Sequence, residues 1–211
     1  STLLRILVTV LLPDEGKATI DGLDAVGDYR AIRKILGYMP GKFSLYPDLT
    51  VRENLEFFAS VFGTTIESQY DLIAPIYSQI EPFESRRAAD LSGGMKQKLA
   101  LCCALVHDPD LLILDEPTTG VDPLSRRQFW ELIARIRHRR PWMTIVTATA
   151  YMSEAERFEH LIAIHDGSIL AEGTPEELKE QAGADNLEDA FLALLPSNGG
   201  AGFIARPKPE S

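Results

Sequence analysis

The chain has 211 residues, 45% of them apolar, with 31 acidic against 21 basic side chains and a formal net charge of −10. That length suits one domain of ordinary size with a core to match, and the acidic balance argues against broad binding to nucleic acid or anionic lipid, which rests on positive charge. The longest apolar runs, such as LLIL at 111–114, are far too short to span a bilayer. No secretory leader pattern is present, and the adjacent Cys102 and Cys103 lie in a helical pattern, a poor geometry for a structural disulfide. These features point to a soluble, reducing compartment.

In chain order, residues 2–11 read as a helix, KATIDG (17–22) as a short strand ending in an Asp-Gly turn, and ILGYMP (35–40) as a strand stopped by proline. From about 47 to 107 the pattern turns helical: DLTVRENLEFFASVFG opens on acidic and threonine caps, and GGMKQKLALCCALVHDP opens on a glycine pair and ends at Asp108-Pro109. DLLILDEP (110–117) lacks alternation, as expected of a central strand covered on both faces. RRQFWELIARIRHRR is an amphipathic helix with Phe129, Leu132, Ile133 and Ile136 on one side. Its basic end, Arg137, His138, Arg139 and Arg140, reads as a solvated terminus at the negative pole of the helix dipole. WMTIVTATA (142–150) reads as another buried strand, SEAERFE as a short helix, and HLIAIHDGSILAEG (160–173) as a hairpin turning at Asp166-Gly167. The alternation implies parallel βαβ construction with an inserted helical segment. One domain is expected over 1–195, with the helical subdomain at about 47–107 and a Gly- and Pro-rich tail or linker at 196–211.

Two stretches carry the chemistry. LLILDEP places Asp115 and Glu116 at the carboxyl edge of a parallel sheet, where such folds bind ligands. Asp115 suits a hydrated Mg²⁺, and Glu116 suits a group that orients or deprotonates a water attacking a phosphoryl group. Alone, the pair is equally a strand end with two exposed acids. In LSGGMKQKLAL (91–101), Ser92 is placed to cap a helix, while Gly93 and Gly94 remove side chains so that N–H groups can approach an anion closely. Alone, this is a loop that merely starts a helix. Followed closely by LLILDEPTTGVD, it is more.

LSGGMKQKLALCCALVHDPDLLILDEPTTGVDP resembles the signature motif, Walker B strand and D-loop of ABC-family ATPases, and the likeness runs from residue 1 to about 195. STLLRIL…LLPDEGKATIDG resembles the segment after the phosphate loop, LGYMP…LYPDLTVRENLEFFA the Q-loop region, and GSILAEGTPEELKEQ…LEDAFLALL the end of exporter-type subunits. The resemblance implies an α/β, RecA-like P-loop NTPase with a parallel-sheet core and an inserted helical signature subdomain. It also implies the cofactors ATP and Mg²⁺. On these motifs, Ser1 and Thr2 end a phosphate loop, Ser1 and Asp115 hold the metal, and Glu116 is catalytic. Leu91, Ser92, Gly93, Gly94, Met95 and the D-loop Asp122 serve the ATP of a second ABC ATPase domain, facing head to tail in a homo- or heterodimer.

Three departures accompany the likeness. The glycines and lysine of the phosphate loop, and the strands before it, are expected upstream of Ser1 and are missing from this sequence. Gly41 stands where the family carries a glutamine, and Ala150 where it carries a switch histidine, His160 being an ordinary surface residue. A lost charge-assisted hydrogen bond costs about 1.5–3 kcal/mol. The expectation is an ATP-binding subunit or domain coupling ATP binding and hydrolysis to export through a transmembrane permease. Its own site is degenerate, its signature intact for a partner site, and its place cytoplasmic and peripheral on the inner membrane face. No specific nucleic acid is expected as a partner. A soluble ribosome-associated ABC ATPase and an inactive fragment are the alternatives.

Overall fold

A computed structural model describes residues 1–41 and 45–196, and the chain divides into two units, Ser1–Ala148 and Thr149–Ser211. In the first unit, α1 (Thr2–Leu7) ends at Leu7 rather than at the predicted Leu11. The chain reverses at Thr9, whose φ is +58°, and the N–H groups of Val10 and Leu11 both return to the carbonyl of Arg5. β1 (Thr19–Ile20) and β2 (Leu23–Asp24) form a hairpin whose Asp21-Gly22 turn has φ of +49° and +77°, the pattern that matches strand twist. α2 (Tyr29–Ile35) follows, and its Arg33 explains the early end of α1. The guanidinium donates to Thr9 Oγ1 and to Thr9 O, each at 2.8 Å, and so holds a β-branched residue in a backbone region it would otherwise avoid.

β3 (Leu36–Met39) leads into the helical stretch of α3 (Val51–Val61), α4 (Tyr70–Tyr77) and α5 (Gly93–Leu105). α3 opens on a capping box: Thr50 Oγ1 accepts from Glu53 N–H, and the Glu53 carboxylate accepts from Thr50 N–H. α5 is apolar nearly all round, as a helix covered on every side must be; Leu99, Leu101, Cys102 and Leu105 are wholly buried. Both cysteines are free thiols, and burial pushes each up, which keeps them protonated and inert. Beside α5, Gly37 of β3 must be glycine: a Cβ there would strike the Ala104 carbonyl oxygen and come within 2.9 Å of Pro109 Cγ.

β4 (Leu111–Asp115) is the middle of a parallel three-stranded sheet, with Leu36↔Leu111 pairing on one side and Leu111↔Thr144 on the other. Leu112, Ile113 and Leu114 are fully buried, as the run without alternation predicts. α6 (Pro123–Arg139) buries Phe129, Leu132, Ile133 and Ile136, the predicted face. At its basic end, Arg139 Nη1 donates to Asp71 O at 3.0 Å, and Arg140 pairs with Asp108 at 3.0 Å. β5 (Thr144–Ala148) corrects an expectation. Among the described residues it pairs with β4 alone, and Thr144 is exposed with the rest half-buried.

The second unit holds α7 (Met152–Ala155), shorter than predicted, then the hairpin β6 (Leu161–His165) and β7 (Ser168–Gly173). The hairpin turns at Asp166-Gly167, with φ of +47° and +76°, as the sequence predicts. α8 (Pro175–Ala182) and α9 (Leu187–Leu194) close the unit around Ala171, Leu178 and Leu187. His160 is exposed and meets Glu172 at 3.1 Å, consistent with a surface role. The tail expected at 196–211 lies, beyond residue 196, outside the described residues.

Candidate functional site

The carboxyl end of β4 collects one group of side chains. Asp115 is buried, and Ser1 Oγ donates to its Oδ1 at 3.1 Å across 114 positions of sequence. Ser1 is the N-cap of α1 but makes no side-chain cap bond, so its hydroxyl is committed to Asp115 instead. Thr2 is exposed in the first turn of α1. Tyr38 of β3 is half-buried nearby: burial first, and then the Asp115 charge, push its phenol up, against a lowering pull from Arg5. Tyr38 therefore stays neutral beside the carboxylate.

Glu116 leaves the strand with φ +49°, the left-handed region that costs a non-glycine residue roughly 1–2 kcal/mol. Its N–H donates to Ala148 O at 2.9 Å, which ties the residue to the end of β5. Its side chain is solvent-exposed, and its Oε2 accepts from Thr119 Oγ1 at 3.2 Å. Gly41 comes close to both acids: a Cβ built on it would lie 3.0 Å from Asp115 O and 3.7 Å from Glu116 Cβ. The structure thus brings Ser1, Gly41, Asp115 and Glu116 together from three separate stretches of chain.

A second group sits at the start of α5. Leu91 is buried and anchors the turn, while Ser92, at φ −64° and ψ 160°, accepts from Met95 N–H at 3.3 Å. Gly93 is exposed with open space around it, whereas Gly94 packs on α6, its absent Cβ falling 2.8 Å from Ser125 Oγ. Asp122 caps α6 by accepting from Ser125 N–H at 2.9 Å, and the Ser125 side chain, then its N–H, hold the carboxyl below its usual range. Ser125 therefore joins the Gly94 turn to Asp122. Lys98, one turn along α5, is pushed down by burial and partly restored by the Asp122 charge. Among the described residues, no hydrogen bond links this group to the Asp115 group.

Ala150 lies in the second unit, exposed in the loop before α7. That loop is held by Thr149, whose hydroxyl donates to the buried Glu154 at 2.6 Å and accepts from Tyr151 N–H at 3.1 Å. Thr119, Tyr38 and Ser125 are the side chains at these sites that the sequence reading leaves out. Thr119 sits at i+3 from Glu116 in a turn, which is a signal of sorts; Tyr38 and Ser125 give none.

The family model described as "ABC transporter" matches residues 1–119. The chain belongs to the ABC transporter family. It is 39% identical over 208 residues to the "Probable multidrug ABC transporter ATP-binding protein YbhF" of Escherichia coli (strain K12), which covers 98% of this chain and 35% of that protein. It is 40% identical over 192 residues to the "Nod factor export ATP-binding protein I" of Burkholderia pseudomallei (strain 1710b), covering 89% of this chain and 62% of the relative. The chain thus spans about a third of one ABC relative and under two thirds of the other. Among solved structures, the "ATP binding subunit of ABC transporter" superposes with TM-score 0.79 at 27% identity over 92% of this chain and 82% of that one. A dimeric ATP-binding cassette bound to ADP and Pi shares the fold, with TM-score 0.71 at 24% identity over 82% of this chain and 79% of its own. The fold is that of the P-loop NTPases.

ABC ATPases bind ATP, and the first group of residues fits a Mg²⁺ carried with it. Ser1 Oγ and Asp115 Oδ1 are hard oxygen donors 3.1 Å apart, close to the roughly 2.9 Å edge of an octahedron with magnesium–oxygen bonds near 2.0–2.1 Å. Among the described residues no three or more His, Cys, Asp or Glu side chains cluster as a metal cage.

Proposed function

We propose that this chain is the ATP-binding subunit or domain of an exporter, coupling ATP binding and hydrolysis to a transmembrane permease. The observation that carries this reading is the contact of Ser1, at the head of α1, with Asp115 at the end of β4. It brings two oxygen donors suited to a metal together across 114 positions of sequence, with Glu116 as the next residue. MgATP would be held there by Ser1, Thr2 and Asp115, the metal drawing negative charge from the reacting phosphate. Glu116 takes the proton of the attacking water as its oxygen bonds to the γ-phosphorus and the bond to the β–γ bridging oxygen breaks.

The own site is weakened on this reading, because Gly41 offers no side chain beside Asp115 and Glu116. Leu91 to Met95 and Asp122 present a complete signature and D-loop to the ATP of a facing second ATPase domain. The aromatic cluster of the helical stretch, with Tyr46 and Phe57 4.7 Å apart and both exposed, offers the permease an apolar landing surface. No helix among the described residues is long and apolar enough to cross a membrane, and the proposed place of the chain is the cytoplasmic face, beside the permease. The test is ATP turnover by the chain alone, at several concentrations, and in mixture with a complete ABC ATPase domain. Slow turnover alone and acceleration of the partner support the reading; turnover alone equal to that of a complete domain contradicts the weakened site.

A further inference from the structure

We infer that Thr119 is a positioning residue for Glu116, its hydroxyl holding the carboxylate in the orientation from which a water is activated. The inference deepens the reading above and rests on Glu116 being the water-activating group. Three observations carry it. Glu116 is held in a left-handed backbone conformation, φ +49°, and pinned by its own N–H to Ala148 O at 2.9 Å, so its main chain is placed independently of its side chain. Unusual backbone of this kind persists only where the surroundings over-determine it, and it concentrates at functional sites. The carboxylate itself is exposed and has two freely turning side-chain bonds beyond Cβ; left to solvent, it would sample many orientations.

The restraint comes from Thr119. Its N–H donates to Glu116 O at 3.2 Å, closing a turn over residues 116–119, and its Oγ1 donates to Glu116 Oε2 at 3.2 Å. The turn fixes where the hydroxyl sits, and the hydroxyl fixes one carboxylate oxygen; among the described residues no hydrogen bond occupies Oε1, which can accept from a water. Position 41 itself is glycine, and a side chain starting there would begin 3.7 Å from Glu116 Cβ. Glycine supplies no side chain to orient the acid, and among the described residues the hydrogen bond from Thr119 is the side-chain contact that holds it.

The test is steady-state MgATP hydrolysis by the full chain and its variants, read as kcat and KM with thermal melting as a fold control. Glu116→Gln removes turnover. Thr119→Val lowers kcat by about tenfold, the scale of one hydrogen bond to a charged group, with KM and melting temperature unchanged, and Thr119→Ser restores kcat. Added to Glu116→Gln, Thr119→Val changes nothing further, as expected of two residues acting as one unit. An unchanged kcat in Thr119→Val, alongside a dead Glu116→Gln, overturns the role of Thr119 and leaves that of Glu116 standing. A matching drop in melting temperature, or failure of serine to rescue, also overturns it, by making Thr119 structural. Equal turnover in the wild type and Glu116→Gln overturns the reading of Glu116 itself.

Discussion

The two groups of site residues are built in opposite ways. The Ser92 group is local: a capping serine, two glycines and one turn of α5, tied through Ser125 to the cap of the next helix. The Asp115 group is assembled through space, joining α1, the end of β3 and the end of β4, with its main contact spanning 114 positions. A local motif survives as long as its few residues do. A through-space site depends on every contributor, and here one of the expected contributors is the small residue Gly41. On the proposed reading, the local group serves a partner's nucleotide and the assembled group, with its two acids and a hydroxyl, serves the chain's own.

The largest effect that could break this comparison is at the assembled site. Asp115→Ala should weaken Mg²⁺-dependent ATP binding by at least about 100-fold, the upper range for disturbing a metal's ligand environment. The check is the thermal shift with MgATP against ATP plus EDTA: the wild type loses part of its shift when the metal is stripped, and the variant shows no difference. The Ser92 group should respond first in stability. Gly94→Val drives a side chain into Ser125, whose Oγ would lie 2.8 Å from the new Cβ, and should cost about 1–3 kcal/mol in urea unfolding, partly relieved by Ser125→Ala. Ser92→Ala removes the cap accepting from Met95 N–H and should cost about 1 kcal/mol.

The smallest expected effect tests the packing behind both sites. His107 stacks on Phe62 at 3.7 Å and its Nε2 lies 3.1 Å from Leu36 O, while its buried Nδ1 has no hydrogen-bond partner among the described residues. Burial, opposed by the Leu36 carbonyl and Asp108, holds it below its ordinary 6.5, so the folded state favours the neutral ring. Its contribution to stability is complete above pH 6.5 and is lost as pH falls through the lower folded value. Melting temperatures between pH 8 and pH 5 should therefore slope downward on acidification, and His107→Gln should flatten the slope.

Much of this was legible from residues alone because it is local. Asp-Gly at 21–22 and 166–167 specifies its turns through positive φ, Ser92 and Thr50 specify their caps, and LLIL specifies a central strand by having no polar face. What was not legible depends on neighbours distant in sequence. WMTIVTATA reads as buried, yet Thr144 is exposed and the rest of β5 half-buried, and among the described residues only β4 pairs with it. α1 stops at Leu7 because Arg33, from another helix, stabilises the reversal at Thr9. The family resemblance supplied the pairing of Ser1 with Asp115; neither residue's local pattern contains it. Thr119 and Ser125 were invisible because a hydroxyl in a turn or first helical turn has many ordinary roles, and only the coordinates show which carboxylate or glycine it meets.

The most direct measurement of the central claim is ATP turnover of a mixed pair, in which this chain faces an ABC ATPase domain with a complete phosphate loop. The account predicts that Ser92→Arg in this chain lowers the pair's turnover by at least about tenfold, as expected when a charge-assisted contact to phosphate is lost, while Glu116→Gln in this chain leaves most of it. The reverse outcome, a pair insensitive to Ser92→Arg and silenced by Glu116→Gln, would contradict the account, placing the working site on this chain's own acids.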